Sequence, residues 1–303
     1  MWPRITIVTP SYNQGRFLEE TILSVINQDY PNLEYFIIDG GSNDNSVDII
    51  KKYEDKIDWW VSEPDEGQSD AINKGFSKAT GDFLTWVNSD DILLPGALDT
   101  VCKVVKENPS VQWIAGNTVW IDADGKIIRC SRLPHYSRLL SKMGFLVVGG
   151  PSTFFARSLY KTVKGLRLDL FFAMDIDLWW QFHNHGIYFY RIPKYLMAFR
   201  FHAGSKCSAS SFASGTLKDE ERRLMLEKKK REEVSLLIDL YGNRRLLPLA
   251  KVIYRCKQTL NGNYLKAWLD LRKMQGHLWQ QIFPIDSESG RNLVDFNSEG
   301  RSY

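Results

Sequence analysis

Two adjacent carboxylates, Asp90 and Asp91, close the stretch FLTWVNSDD. Phe83, Leu84, Trp86 and Val87 before them form the apolar run of a buried strand. Like charges at the end of such a strand repel, and more strongly as water is excluded. One reading is a turn, with Asp91 as the N-cap of the next helix. The other is a ligand site, because a hard divalent cation prefers oxygen donors and a carboxylate accepts hydrogen bonds from hydroxyls. A second acidic group, Asp175 and Asp177 in AMDIDLWW, suits general-base chemistry, in which a carboxylate removes the proton of an attacking hydroxyl. On a helix these two are about 200° apart, so both cannot face one site. Their alternative is an N-cap with a first-turn acid, worth about 1 kcal/mol of helix stability.

The elements that must position these residues are legible over the first 120 residues. Strand-like RITIVTP, LEYFIID, IDWWVSE, GDFLTWVN and VQWIAGNTVWI alternate with helix-like RFLEETILSVINQ, SVDIIKKYE, QSDAINKGFSKAT and PGALDTVCKVVKEN. Leu18, Ile22 and Val25 share one face of the first helix. The alternation predicts an α/β fold with an open, mostly parallel sheet and helices on both faces. Ligands of such sheets bind outside the carboxyl ends of the strands. That rule gathers Pro10, Tyr12 and Asn13 after the first strand, Asp39 after the second, and Asp90 and Asp91 after the fourth. On that rim Asp39 can accept from a base N–H, Tyr12 can lie against a base face, Asp90 can take ribose hydroxyls and Asp91 can hold a cation bridging a diphosphate. Asp65, Gln68 and Asp70 lead into the third helix, where they contact a phosphate or sugar or simply face solvent.

Composition bounds the rest. The chain has 303 residues, 44% hydrophobic and 25% charged, as in a globular domain of ordinary solubility. A formal net charge of +3 gives no sign of a nucleic-acid partner. The first residues, MWPRITIVTP, carry no secretory apolar stretch, and four dispersed cysteines fit free thiols, so a cytoplasmic protein is expected. No G-x-G-x-x-G follows the first strand, and neither a P-loop nor a G-x-S-x-G elbow occurs.

The stretches TPSYNQGRFLEETILSVINQDYPNLEYFIIDGGSNDNS, DEGQSDAINKGFSKATGDFLTWVNSDD and MDIDLWWQ resemble, in this order and spacing, the family 2 glycosyltransferases of GT-A fold. The resemblance runs from about residue 4 to 206. It implies a nucleotide-sugar donor, a UDP-sugar foremost, with Mg²⁺ or Mn²⁺, and inversion at the anomeric carbon by direct displacement. It implies Pro10, Tyr12 and Asp39 near the nucleobase, Asp90 on the ribose, Asp91 on the metal and Asp175 as catalytic base. His202 in FRFHAGSKCS resembles a C-terminal histidine that reaches metal or diphosphate; an ordinary surface histidine reads the same. Asn88 stands where many members carry the first Asp of the D-x-D motif, and Met174 where many carry Glu. GGPSTFF, with Gly149 and Gly150, resembles an acceptor-side loop.

The implied organisation is a catalytic domain over 1–215, with a nucleotide-sugar-binding half at 1–120 and an acceptor half at 121–215. A helical extension with a frayed polar tail follows at 216–303. Its basic helices, with Lys251, Arg255, Lys257, Lys266, Arg272 and Lys273, either pack on the catalytic domain or touch an anionic membrane at its inner face. The acceptor is a glycan or lipid-linked glycan, as in polysaccharide assembly. A sugar-phosphate nucleotidyltransferase would carry a basic Gly-rich loop where PSYNQGRF stands, and a mere binding module would have no use for Asp175.

Overall fold

The computed structural model describes residues 2–136, 148, 152–206, 252, 255–256, 259–260 and 262–283. The first part of the expected helical extension, 216–251, much of the basic stretch before residue 262, Gly149 and Gly150 and the polar tail lie outside the described residues.

The first four strands, β1 (Ile5–Ser11), β2 (Leu33–Asp39), β3 (Trp59–Ser62) and β4 (Phe83–Trp86), pair in the order β3-β2-β1-β4, all parallel. Helices α1 (Gly15–Ile26), α2 (Ser46–Lys52) and α3 (Gln68–Lys78) lie between them in the chain. The α1 stripe predicted from periodicity is the buried one, with Leu18, Ile22 and Val25 fully inaccessible. Gly75 sets how closely α3 approaches β1, because a Cβ there would sit 2.6 Å from Val8 Cγ2.

Beyond β4 come β5 (Ile92–Leu93), α4 (Ala97–Glu107), β6 (Trp113–Ile121), β7 (Ile127–Ser131), β8 (Thr153–Ala156), α5 (Arg157–Thr162), α6 (Met174–Asn184) and β9 (Tyr190–Arg200). They extend the same sheet as β4-β8-β6-β9-β5, with β7 on β6. β8 is antiparallel to both β4 and β6, and β5 is antiparallel to β9. The sheet is therefore mixed, and the predicted parallel order describes its first four strands. β6 runs in the same sense as β4 but one strand away, and β8 fills the gap in reverse.

Two further helices, α7 (Asn263–Met274) and α8 (Trp279–Ile282), close the described chain. α7 is tied down by Asp270, which accepts from Arg132 Nε and Nη2 at 2.7 and 3.1 Å and from the Tyr195 hydroxyl at 2.6 Å. Such a two-pronged pair, largely removed from water, fixes orientation as well as energy.

Candidate active site

The carboxyl ends of β1 and β4, the turn into α3 and the start of α6 border one cavity of about 900 Å³. Pro10 and Tyr12 line it from β1, and the Tyr12 ring is 60% exposed beside it. Gly40 and Gly41 line it from the turn after β2. Asp39 itself lies behind them, fully buried. Its carboxylate accepts from Ser42 N and Oγ at 2.8 and 2.6 Å and from Ser62 Oγ at 2.7 Å. Asn13 also turns to the loop: its N–H donates to Ser42 Oγ and its Oδ1 accepts from Asn43 N. Neither residue is among those lining the cavity. Both order the loop that does, because their polar atoms are taken up by Ser42, Asn43 and Ser62.

The Asp90–Asp91 pair divides. Asp90 lines the cavity, and its Oδ2 accepts from His202 Nε2 at 3.0 Å. Gly204 N–H donates to His202 Nδ1, which leaves Nε2 to carry the hydrogen given to Asp90. Asp91 is buried beneath the rim. Its Oδ1 accepts from Arg200 N at 2.9 Å and its Oδ2 from Asn88 Nδ2 at 2.7 Å. Burial, then the Asp90 charge, push the Asp91 carboxyl well above the ordinary carboxylate range. Of the two carboxylates the sequence placed on the rim, the structure brings Asp90 to His202 and sets Asp91 into the scaffold.

Asn88 makes sense in the same frame. It donates to Asp91 through Nδ2 and accepts from Gln68 Nε2 through Oδ1, at 2.7 and 2.6 Å. A carboxylate at this position would have nothing to donate and would add a third like charge. Gln68 in turn accepts from Lys206 Nζ at 2.8 Å. A directed chain, Lys206 to Gln68 to Asn88 to Asp91, thus crosses the cavity floor. Lys206 escaped the sequence reading although it stands four residues after His202; its reach to Gln68 spans 138 positions. Asp70, in the first turn of α3, accepts from Glu66 N at 3.2 Å and is not a lining residue. Asp65 does line the cavity, and burial raises its carboxyl above the ordinary value.

Helix α6 carries the remaining acid pair. Trp179 stacks against Trp86 and Trp113, with centroids 5.8 and 5.4 Å apart. This anchors one helix face to β4 and β6. Asp175, one turn earlier on that face, lines the cavity. Asp177 points elsewhere: it is buried and accepts from Gln181 Nε2 at 2.8 Å. Met174 packs beneath, with Ser69 Oγ 2.9 Å from its sulfur.

A metal has two protein donors available here, a carboxylate oxygen of Asp90 and Nε2 of His202. Among the described residues no group of three or more His, Cys, Asp or Glu forms a cage. That suits an ion of the Mg²⁺ type, which is commonly held by one or two side chains plus substrate phosphates and water. Binding through Nε2 requires the His202 tautomer with hydrogen on Nδ1 and gives up the contact from Gly204.

The sequence model of glycosyl transferase family 2 matches residues 6–161. An uncharacterized glycosyltransferase of Haemophilus influenzae is 33% identical over 152 residues, which are 48% of this chain and 60% of that protein. The GalNAc(5)-diNAcBac-PP-undecaprenol beta-1,3-glucosyltransferase of Campylobacter jejuni is 27% identical over 184 residues, 58% of this chain and 59% of that protein. The matched part thus spans less than two thirds of either relative. Among solved structures, TarS 1-349 of S. aureus in complex with UDP-GlcNAc has a TM-score of 0.59 at 17% identity, covering 89% of this chain and 78% of that one. The mannosyltransferase PcManGT from Pyrobaculum calidifontis, in complex with GDP-Man and Mn²⁺, has a TM-score of 0.52 at 18% identity, covering 89% and 88%. These likenesses show a shared fold, the GT-A fold.

Proposed function

Since the chain belongs to glycosyl transferase family 2, we propose that it moves a sugar from a UDP-sugar to a hydroxyl of a glycan or lipid-linked acceptor, with inversion at the anomeric carbon and with Mg²⁺ or Mn²⁺ bound. The observation that carries this reading is the convergence of Asp175 and Asp90, the latter bonded to His202, on one cavity. The ligands of the two neighbouring structures, UDP-GlcNAc and GDP-Man with Mn²⁺, support a nucleotide-sugar donor. The name of the Campylobacter relative supports a polyprenol-diphosphate acceptor and a place in glycan assembly.

In this reading 1–120 holds the nucleoside of the donor and 121–215 the acceptor, with His202 and Lys206 of the second half reaching back to the donor's diphosphate. Tyr12 offers its exposed ring to the nucleobase, beside Pro10, and Asp39 orders the loop beneath. Asp90 and His202 hold the ion, a role the buried Asp91 serves only indirectly. When bound, the ion stabilises negative charge on the diphosphate. Asp175 takes the proton from the acceptor hydroxyl as its oxygen bonds to the anomeric carbon. The bond from that carbon to the diphosphate oxygen breaks, and the electron pair leaves with the nucleoside diphosphate. Lys206, held by Gln68, places an ammonium beside that developing charge. Asp177 supports α6 through Gln181.

A panel of nucleotide-sugars with and without Mn²⁺, read as nucleoside diphosphate release, tests the proposal. Metal-stimulated release with at least one donor, and a product of inverted anomeric configuration by NMR, is expected. Pyrophosphate exchange without diphosphate release would replace transferase by nucleotidyltransferase.

A further inference from the structure

We propose that α7 is a docking surface for an anionic lipid bilayer, on which the helix lies with its exposed apolar stripe in the headgroup layer. The helix has a buried face and an exposed apolar one. Asn263, Asp270 and Met274 mark the buried face, turned toward β7. On the other, Tyr264, Leu265, Trp268 and Leu269 are 47%, 60%, 49% and 43% exposed. At 100° per residue these four fall within an arc of about 140°. A single exposed leucine is ordinary, whereas a contiguous row of four large apolar side chains on one helix marks a contact surface.

The charges around the row select the occupant. Lys266, Arg272 and Lys273 are all exposed on this helix. The Arg272 guanidinium lies over the Trp268 ring, 4.5 Å from its centroid. The helix has one acid, Asp270, and that is enclosed by Arg132 and Tyr195. The outward side therefore presents three cations and no carboxylate. Aromatic and leucine side chains with an arginine among them and lysines along one edge match a bilayer surface, where rings enter the headgroup layer and cationic groups meet lipid phosphates. No helix among the described residues is long and apolar enough to cross a membrane, so the contact is one of lying on the surface. The Asp270–Arg132 pair holds α7 to the sheet strands so that the stripe is presented as a rigid face.

The test uses the full chain and vesicles of phosphatidylcholine alone or mixed with phosphatidylglycerol, read by co-sedimentation. Binding to the anionic vesicles that weakens with added salt is expected. Lys266→Gln and Lys273→Gln should each weaken it about fivefold. Trp268→Ala and Leu265→Gln, tested separately, should reduce it at all salt concentrations while leaving the melting temperature and transfer to a soluble acceptor unchanged. Equal binding to neutral vesicles, no binding at all, or variants that bind like the parent chain would overturn the proposal. A dimer in light scattering that Trp268→Ala abolishes, without vesicle binding, would assign the face to a second copy instead. Vesicle binding and light scattering do not involve the donor site, so this inference and the proposed activity fail separately.

Discussion

The two walls of the cavity are built on different principles. The wall formed by β1, β2 and β4 is a hydrogen-bonded lattice: Asn13, Asp39 and Ser42 lock one loop, and Gln68, Asn88 and Asp91 lock the floor. The wall that carries Asp175 also carries Leu168 and Phe171, which are 46% and 55% exposed. A lattice of mutually satisfied donors and acceptors holds the cavity wall in one shape, because any rearrangement leaves a buried group unpaired. An apolar wall discriminates weakly by shape. On the proposed reading, the donor wall is held by fixed hydrogen bonds, while the acceptor side rests on apolar side chains that fix no single pattern of polar contacts. Substitutions on the lattice should disturb binding or stability, and those on the Asp175 wall should disturb turnover.

The largest effect is expected on the Asp175 wall. Asp175→Asn keeps the shape and loses the base, so kcat should fall by about 10²–10⁴ with the donor KM nearly unchanged. Steady-state kinetics with the donor varied measures the split. Asp177→Asn should cost far less, since its partner is Gln181. Loss of activity at Asp177 and not at Asp175 would reverse the assignment of the helix faces.

The next effect separates neighbours on the lattice. Asp90→Asn should weaken Mn²⁺-dependent binding of a nucleoside diphosphate by at least the roughly 10–100-fold typical of an outer-shell partner, with little change in melting. Asp91→Asn should do the opposite. Its new NH₂ meets Arg200 N–H or Asn88 Nδ2, and Asn88 cannot turn without losing Gln68. A stability loss of about 1–3 kcal/mol is expected, read by urea unfolding. Calorimetry on both variants checks the contrast, and a metal-binding loss at Asp91 with none at Asp90 would break it.

Lys206→Met should lower affinity for a nucleoside diphosphate about tenfold and leave that for the nucleoside unchanged, since a charge-assisted contact to phosphate is removed. Equal losses for both ligands would place Lys206 outside the diphosphate subsite.

The smallest effect lies at the other end of β2, where Glu34 serves the scaffold alone. Burial raises its carboxyl's pKa, but hydrogen bonds from Thr6 and Thr80 and the charge of Arg4 outweigh this and hold it below the usual value. A depressed folded pKa contributes stability that is present above the unfolded value, about 4.3, and is lost as pH falls through the folded one. Glu34→Gln should therefore destabilise the chain by about 1 kcal/mol at neutral pH, and the gap between variant and parent should close in acid. Urea unfolding at both pH values measures it, and a gap that widens in acid would contradict the sign.

The sequence by itself determined what short-range physics controls. The α1 stripe, the alternation through α4 and the convergence of strand ends follow from side-chain periodicity and from how parallel strands connect. The 200° between Asp175 and Asp177 was readable from helix geometry, and the structure does bring only one of them to the cavity. Only the tertiary structure decided which of Asp90 and Asp91 lines the cavity. Asp90 and Asp91 are equivalent in sequence, and they are told apart by His202 and Arg200, 112 and 109 positions away. β8 could not be seen entering in reverse between β4 and β6, because a short apolar run carries no direction. Lys206 gained its place only when the segment after β9 folded back to Gln68. Each of these rests on contacts between distant residues, and such contacts are chosen by packing and by the need to satisfy every buried polar group, which no local pattern encodes.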